Sequence, residues 1–220
     1  SSKYKNSSGL PEGKVVVVGS GQSGAQIAED LLDSGRKVIL AVSKCGRRPR
    51  KYRSKDSSWW NYEMGLFDKT VNDVKLEERW KCSAHTSGAK GGHDINLIDL
   101  AENGLELYGS VKNCQGNKLF LKDNVYENVK FSDTYAINWR KNVDEFITKN
   151  NIKAPQESIK IDERIQSNIL KNYDQILLNK EINSIIWATG FRYNFDWIDL
   201  DITDKNSHPI RYRGITKYKG

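Results

Sequence analysis

Four consecutive valines, Val15 to Val18, follow a polar N-terminal stretch, and no polar residue interrupts them. A strand with one wet face alternates apolar and polar positions, whereas a strand buried on both faces of a parallel sheet does not. KVVVV therefore predicts a central strand. Gly19, Gly21 and Gly24 follow, and the period then changes. In AQIAEDLLDSG, Ala25, Ala28, Leu31 and Leu32 fall on one helical face, Glu29, Asp30 and Asp33 lie largely away from it, and Gly35 is a natural stop. KVILAV (Lys37 to Val42), DQILL (Asp174 to Leu178) and NSIIWATG (Asn183 to Gly190) predict further strands, and LELYGSV with KLFL predicts a strand pair around Gly116-Asn117. INLIDLAENG (Ile95 to Gly104) predicts a short helix. Ser132 is placed to cap a helix from about Asp133 to Lys149, with Ile137, Val143, Phe146, Ile147 and Ile152 on its buried side. SSWWNYEMG reads as aromatic packing under a loop, and TSGAKGGHD as a loop. Strands alternating with helices predict an α/β fold, a Rossmann-like three-layer domain with a mainly parallel central sheet.

The glycines turn this pattern into chemistry. Gly19, Gly21 and Gly24 make G-x-G-x-x-G between a predicted strand and a predicted helix, the context that a dinucleotide-binding turn requires. Gly19 permits the sharp exit from the strand, Gly21 lets backbone approach a pyrophosphate, and Gly24 lets helix and strand pack closely. Phosphates would then face the unpaired N–H groups and positive end of the helix. Ser20, Gln22 and Ser23 line the turn and can add hydrogen bonds. A glycine-rich structural turn without a ligand is the alternative reading.

The second strand addresses which dinucleotide. NAD- and FAD-binding versions end it in Asp or Glu, about 20 residues past the glycines, for the ribose 2′-hydroxyl. Here the chain reads Ser43-Lys44-Cys45-Gly46-Arg47-Arg48, without an acid. A carboxylate would repel a 2′-phosphate, whereas Ser43, Lys44, Arg47 and Arg48 would receive it, so NADP(H) is the expected cofactor. The same run continues as RRPRKYR, and with 35 Lys plus Arg against 28 Asp plus Glu in 220 residues the net charge is +7. That balance raises nucleic-acid binding and a merely solvated basic loop as rivals. Cations spread along the chain and no recognisable nucleic-acid module argue against nucleic acid.

Composition narrows the remaining classes. A mean hydropathy of −0.69 with 37% hydrophobic residues suits a folded, polar-surfaced domain. No apolar stretch approaches the roughly 18 residues of a membrane span. Cys45, Cys82 and Cys114 are scattered and odd in number, which with the lack of a leader-like run predicts a reducing, cytoplasmic setting. Cys82-x-x-His85 with His93 and Asp94 lacks the second close ligand pair of a zinc site, so no metal is expected. Small residues at Ala188-Thr189-Gly190, ending a strand, would let backbone approach a nucleotide beyond the sheet's carboxyl end, and Thr189 joins the expected contacts; a plain strand-to-loop turn is the alternative reading of the tripeptide taken alone.

GSGQSG followed late in the chain by Ala188-Thr189-Gly190-Phe191 resembles the flavin-dependent monooxygenase group, which includes flavin-containing and Baeyer–Villiger-type enzymes and relatives described as flavoproteins of potassium transport. That resemblance implies an NADPH-binding domain inserted in an FAD-binding one, with a first glycine motif for FAD and a second for NADPH. The opening Ser1-Ser2-Lys3-Tyr4 resembles the tail of a family signature, F-x-G-x-x-x-H continuing Ser-Ser-x-Tyr, that precedes the NADPH domain. On this resemblance residues 1–12 are expected to be a linker from an FAD domain, 13–190 the NADP-binding domain, and 191–220 an incomplete return segment. The implied function is hydride supply from NADPH to flavin in a monooxygenase-like oxidoreductase. FAD would belong to the full-length parent only, and residues 1–220 would be inactive and flavin-free alone. The implied partners are NADPH and the parent's own FAD domain, with a homo-oligomer left open. No residue stands out as a nucleophile or general base. A self-sufficient NADP-dependent dehydrogenase or reductase and a non-catalytic NADP-binding module remain as alternatives.

Overall fold

Val15, Val16 and Val17 are completely buried, and a computed structural model shows what covers them on each side. It describes every residue except 1, 71, 79–80, 167–169, 171, 192–193, 196, 206–207, 213 and 217–220. In chain order the elements are β1 (Lys14–Val18), α1 (Gln22–Asp33), β2 (Val38–Ala41), β3 (Lys51–Tyr52), β4 (Lys55–Asp56), α2 (Ser57–Glu63), α3 (Leu97–Glu102), β5 (Glu106–Tyr108), β6 (Val111–Gln115), β7 (Lys118–Leu121), α4 (Val125–Lys149), β8 (Gln175–Leu177), β9 (Ile182–Trp187), β10 (Arg211–Tyr212) and β11 (Ile215–Thr216). Clustering of contacts divides the chain into two units, Ser1–Thr189 and Gly190–Gly220.

The first unit is built on a parallel sheet of order β5-β2-β1-β9. β1 pairs Val15 to Val18 with Val38 to Ala41 of β2, and Val16 to Val18 with Ile185 to Trp187 of β9. Alternate valines face opposite layers. Val15 and Val17 join Ile27, Leu31, Ile98 and Val129 from the helices. Val16 and Val18 join Leu119, Leu121 and Ile176 from a second, antiparallel sheet of order β6-β7-β8. The layers are therefore helices, parallel sheet and antiparallel sheet, and the expected mainly parallel central sheet is present. A third cluster, Tyr52, Trp60, Trp139, Val143 and Ile147, packs α2 and the end of α4 against the β3–β4 hairpin.

Four details differ from the sequence pattern. LELY does not pair with KLFL: Glu106–Tyr108 joins β2 in the parallel sheet, and Val111–Gln115 is the strand opposite KLFL. SSWWNYE is helical, because Asp56 caps it by accepting from the Ser58 N–H at 2.8 Å and Trp60 fills the core. Ser132 does not start the last helix; α4 begins at Val125, and Ser132 is buried within it. Glu29 is buried rather than turned to water, because His93 meets its carboxylate at 2.6 Å.

Residues ahead of β1 lie against the first unit. Tyr4 packs on the core and donates its hydroxyl to Asp30, and the Arg36 guanidinium donates to the carbonyls of Leu10 at 2.8 Å and Pro11 at 2.7 Å. Ser1 of the opening Ser-Ser-Lys-Tyr run lies outside the described residues. The second unit carries the β10–β11 hairpin and a bridge between Thr203 and Pro209, with Ile202 buried. Positions 192–193, 196, 206–207, 213 and 217–220 of the expected return segment lie outside the described residues.

Candidate functional site

Three parallel strands end together around the glycine turn. The Gly19 N–H donates to Ala41 O at 2.9 Å, and the Ala188 N–H donates to Val18 O at 2.8 Å, so the ends of β2, β1 and β9 are tied side by side. Gly19 has a φ of +98°, and a Cβ there would sit 2.7 Å from Ala188 O. At Gly24 a Cβ would sit 1.8 Å from Gly19 O, so that glycine is what allows α1 to seat against the turn. Gly21 differs from both. Its φ of −66° suits any residue, and the nearest atom to an added Cβ would be the Cys82 Cβ at 3.9 Å. Neither backbone conformation nor protein packing calls for glycine at this position.

Gly21 is also the N-cap of α1, where no side chain caps the helix and no acid lies in the first turn. The first N–H groups of a helix have no intrahelical acceptor, so the positive end of α1 is uncompensated by side chains at the turn. Ser20 is buried and clasps the end of β2: its Oγ accepts from the Ser43 N–H at 2.9 Å, and the Ser43 Oγ accepts from the Ser20 N–H at 3.1 Å. Ser23 is exposed on the first turn, and Thr189 is exposed with its backbone N 3.7 Å from the position of a Gly19 Cβ. Gln22 holds a neighbouring segment rather than open space. Its amide oxygen accepts from the Thr86 N–H at 3.1 Å while its amide nitrogen donates to Thr86 O at 2.5 Å.

The basic residues after β2 divide into two kinds. Lys44 is exposed, with its Nζ 4.8 Å from the Phe131 ring centroid. Arg48 is half-buried, and its Nε, inaccessible to water, has no hydrogen-bond partner among the described residues. Arg47 is buried, donates to the Asp133 carboxylate of α4, and lies 3.8 Å from Asp94. It faces a cavity of about 710 Å³ that it shares with Asp94, Arg140, Glu157 and Asp162, and no residue of the glycine turn lines that cavity. The structure thus brings Gly19, Ser20, Gly21, Gln22, Ser23, Gly24, Ser43 and Thr189 together, continues them with Lys44 and Arg48, and commits Arg47 to an internal ion pair.

The residues weighed for zinc each have a different partner. Cys82 meets Cys45, with the sulfurs 2.8 Å apart, and His93 meets Glu29. Asp94 accepts from the Arg50 N–H at 2.5 Å. His85 is fully buried, 3.4 Å from the Ser132 Oγ, and burial with the nearby Arg47 charge pushes its pKa down to about 4. Among the described residues no group of three or more His, Cys, Asp or Glu could hold a metal, and no helix is long and apolar enough to cross a membrane. Sequence patterns give no hint that Cys82 and Thr86 border the turn, because that contact is made across more than sixty positions by a segment without periodicity.

Comparison with known proteins agrees on one theme. A family model for L-lysine 6-monooxygenase/L-ornithine 5-monooxygenase matches residues 1–99. Over its full length the chain is 26% identical to an uncharacterized oxidoreductase, CzcO-like, of Geobacillus kaustophilus, and 27% identical to the uncharacterized oxidoreductase CzcO of Bacillus subtilis. A CzcO protein of Bacillus velezensis is 24% identical. The chain spans 47% of each of these relatives, about half their length.

Proposed function

We propose that the chain is a flavin-monooxygenase-like domain whose glycine turn binds NADPH, and that the whole protein is an NADPH- and FAD-dependent oxidoreductase of monooxygenase type. Gly21 is the observation that supports this reading. A glycine where φ, packing and helix geometry all tolerate a side chain is accounted for by a ligand that must come close. The pyrophosphate would lie against the N–H groups at the start of α1, whose positive end carries no acidic side chain.

Ser43, Lys44 and Arg48 would face the 2′-phosphate, and the absence of a carboxylate after β2 removes the group that would repel it. Arg47 would make no direct contact, since its Nη2 donates to the Asp133 carboxylate and that carboxylate offsets its charge. Thr189, beside Gly19, would border the cofactor at the end of β9. When bound, NADPH supplies the hydride that reduces a flavin, and the protein contributes position and electrostatics. This chain's part is to hold the pyrophosphate, select the 2′-phosphate and fix the nucleotide's direction across the strand ends.

Isothermal titration of the chain with NADPH tests the reading. Wild type should bind, and Gly21→Val should lose binding at least about 100-fold, because the branched side chain occupies the pyrophosphate's place. The melting temperature should change little, since a Cβ at this position meets nothing closer than 3.9 Å. A Gly21→Val chain that binds NADPH as wild type does would overturn the assignment.

A further inference from the structure

Cys45 and Cys82 come from different segments and meet beside the glycine turn. Cys45 follows β2 and is 2% exposed, whereas Cys82 is exposed. Their sulfurs are 2.8 Å apart, and the Cys45 Sγ lies 3.5 Å from Ser83 O. The segment from Cys82 to Thr86 forms a strap along the turn. Its Cys82 end borders the space outside Gly21, and its Thr86 end is gripped by the Gln22 amide on the first turn of α1. Nothing in the nucleotide reading uses either sulfur.

We propose that Cys45 and Cys82 are a redox-sensitive dithiol that hydrogen peroxide closes to a disulfide, pinning the strap against the glycine turn and weakening NADPH binding. The binding half of this proposal rests on the nucleotide reading above; the dithiol half does not. A disulfide has an S–S bond of about 2.05 Å, so the sulfurs close by less than about 1 Å. In the dithiol form the exposed Cys82 end of the strap has no covalent tie, while His85 anchors its middle in the interior, so that end can retreat to admit a pyrophosphate. The covalent link removes that freedom.

The exposed thiol is the attacking one. A hydrogen bond with Cys45 holds the Cys82 pKa down at about 7, so near neutral pH much of it is the nucleophilic thiolate. The same bond, together with burial, pushes Cys45 up and keeps it protonated. The Cys82 thiolate attacks one peroxide oxygen, the O–O bond breaks, and the departing hydroxide takes a proton and leaves as water. Cys45 sulfur then attacks the resulting Cys82 sulfenic acid, the S–O bond breaks, and a second water leaves as the S–S bond forms. Two thiols lose two electrons, and one peroxide becomes two waters. Cys114, exposed on β6 near Gly116 O, is an internal control.

The test treats the chain with stoichiometric peroxide, maps alkylated tryptic peptides by mass spectrometry and titrates NADPH before and after. The expected map shows one Cys45–Cys82 cross-linked peptide, lighter by two hydrogens, with Cys114 still alkylated. NADPH affinity should fall about tenfold and return with dithiothreitol. Cys82→Ser should show neither change, and in Cys45→Ala the Cys82 sulfur should stop at a sulfenic acid that dimedone traps. Free Cys45 and Cys82 after peroxide, or a link to Cys114, would overturn the dithiol. A Cys45–Cys82 link with unchanged NADPH affinity would overturn the gate. A link formed in a chain that binds no NADPH even when reduced supports the dithiol and counts against the nucleotide reading, and the gate falls with it.

Discussion

Arg47 and Arg48 are neighbours with opposite environments. The Arg47 side chain is 10% exposed and its acceptor, the Asp133 carboxylate, is 8% exposed. Removing one member of a buried pair leaves the other charge unpaired and costs about 3–5 kcal/mol. Arg47→Ala should therefore lower stability by that amount in urea unfolding, while Arg47→Met with Asp133→Leu should recover most of it, because no orphan charge remains. Lys44 and Arg48 carry the opposite expectation. Lys44→Ala with Arg48→Ala should change stability by less than about 1 kcal/mol. Charge-assisted hydrogen bonds contribute about 1.5–3 kcal/mol each, and the exposure of Lys44 trims the pair's total to at least about 2 kcal/mol, so wild type should prefer NADPH over NADH by roughly 30-fold or more. Competitive titration of the double variant should find most of that preference gone. Equal affinity of the unmodified chain for both nucleotides would remove Lys44 and Arg48 from the site.

At the level of elements, α4 explains why periodicity misjudges its own start. Its buried face over the first turns carries Asn128, Ser132 and Asp133 beside Val125, Val129 and Ala136. Those polar groups hold loops from other parts of the chain: the Asn128 amide donates to Val42 O at 2.8 Å, Ser132 meets His85, and Asp133 accepts from Arg47. A face that is half polar does not read as amphipathic, although every polar group on it has a partner. Further along, the Trp139 indole donates to the Asn61 Oδ1 of α2 at 2.9 Å, and the Trp60 indole donates to Tyr52 O at 2.8 Å. Trp60 has no exposed surface. Trp60→Ala should cost about 3–5 kcal/mol in urea unfolding, and it should loosen α2 and the β3–β4 hairpin more than the glycine turn, as amide exchange would report. Equal loosening of both regions would mean that the Trp60 cluster and the sheet core do not act as separable units.

Across the whole molecule, two histidines set opposite limits on stability with pH. Burial and the Arg47 charge lower His85 from 6.5 to about 4, so the folded chain resists a proton that the unfolded chain takes up. Stability from keeping it neutral is complete above pH 6.5 and is lost as pH falls toward 4, by roughly 3 kcal/mol. His93 works the other way. The Glu29 carboxylate raises it above 6.5, so its contribution is complete below 6.5 and is lost as pH rises through the raised value. The side chain is 32% exposed, which makes this second effect the smaller one. Stability should peak near pH 6.5, and His85→Gln should flatten the acid side down to pH 4, as urea midpoints across pH would show. Asp162, held down to about 2 by Arg164, loses its contribution below that window and leaves it clear. A His85→Gln curve as steep as wild type between pH 6.5 and 4 would refute the buried-neutral account.

The strand, turn and helix at the N-terminal end were determined by sequence alone, because everything that makes them is local. An unbroken valine run fits only a doubly covered strand, Gly19 is required by a left-handed φ, and Ala25, Ala28 and Leu31 repeat at helical spacing. The same holds for β9, which the small Ala188-Thr189-Gly190 end brings against the turn. Tertiary structure decided which cations are available, since Arg47 is claimed by Asp133 from 86 positions away. It also decided that the Ser20 hydroxyl clasps Ser43, that Gln22 grips Thr86, and that Cys45 and Cys82 meet. Each of these is a buried or part-buried polar or sulfur contact between segments distant in the chain. Such contacts follow the need of a desolvated group for a partner, and that need leaves no period or spacing in either segment.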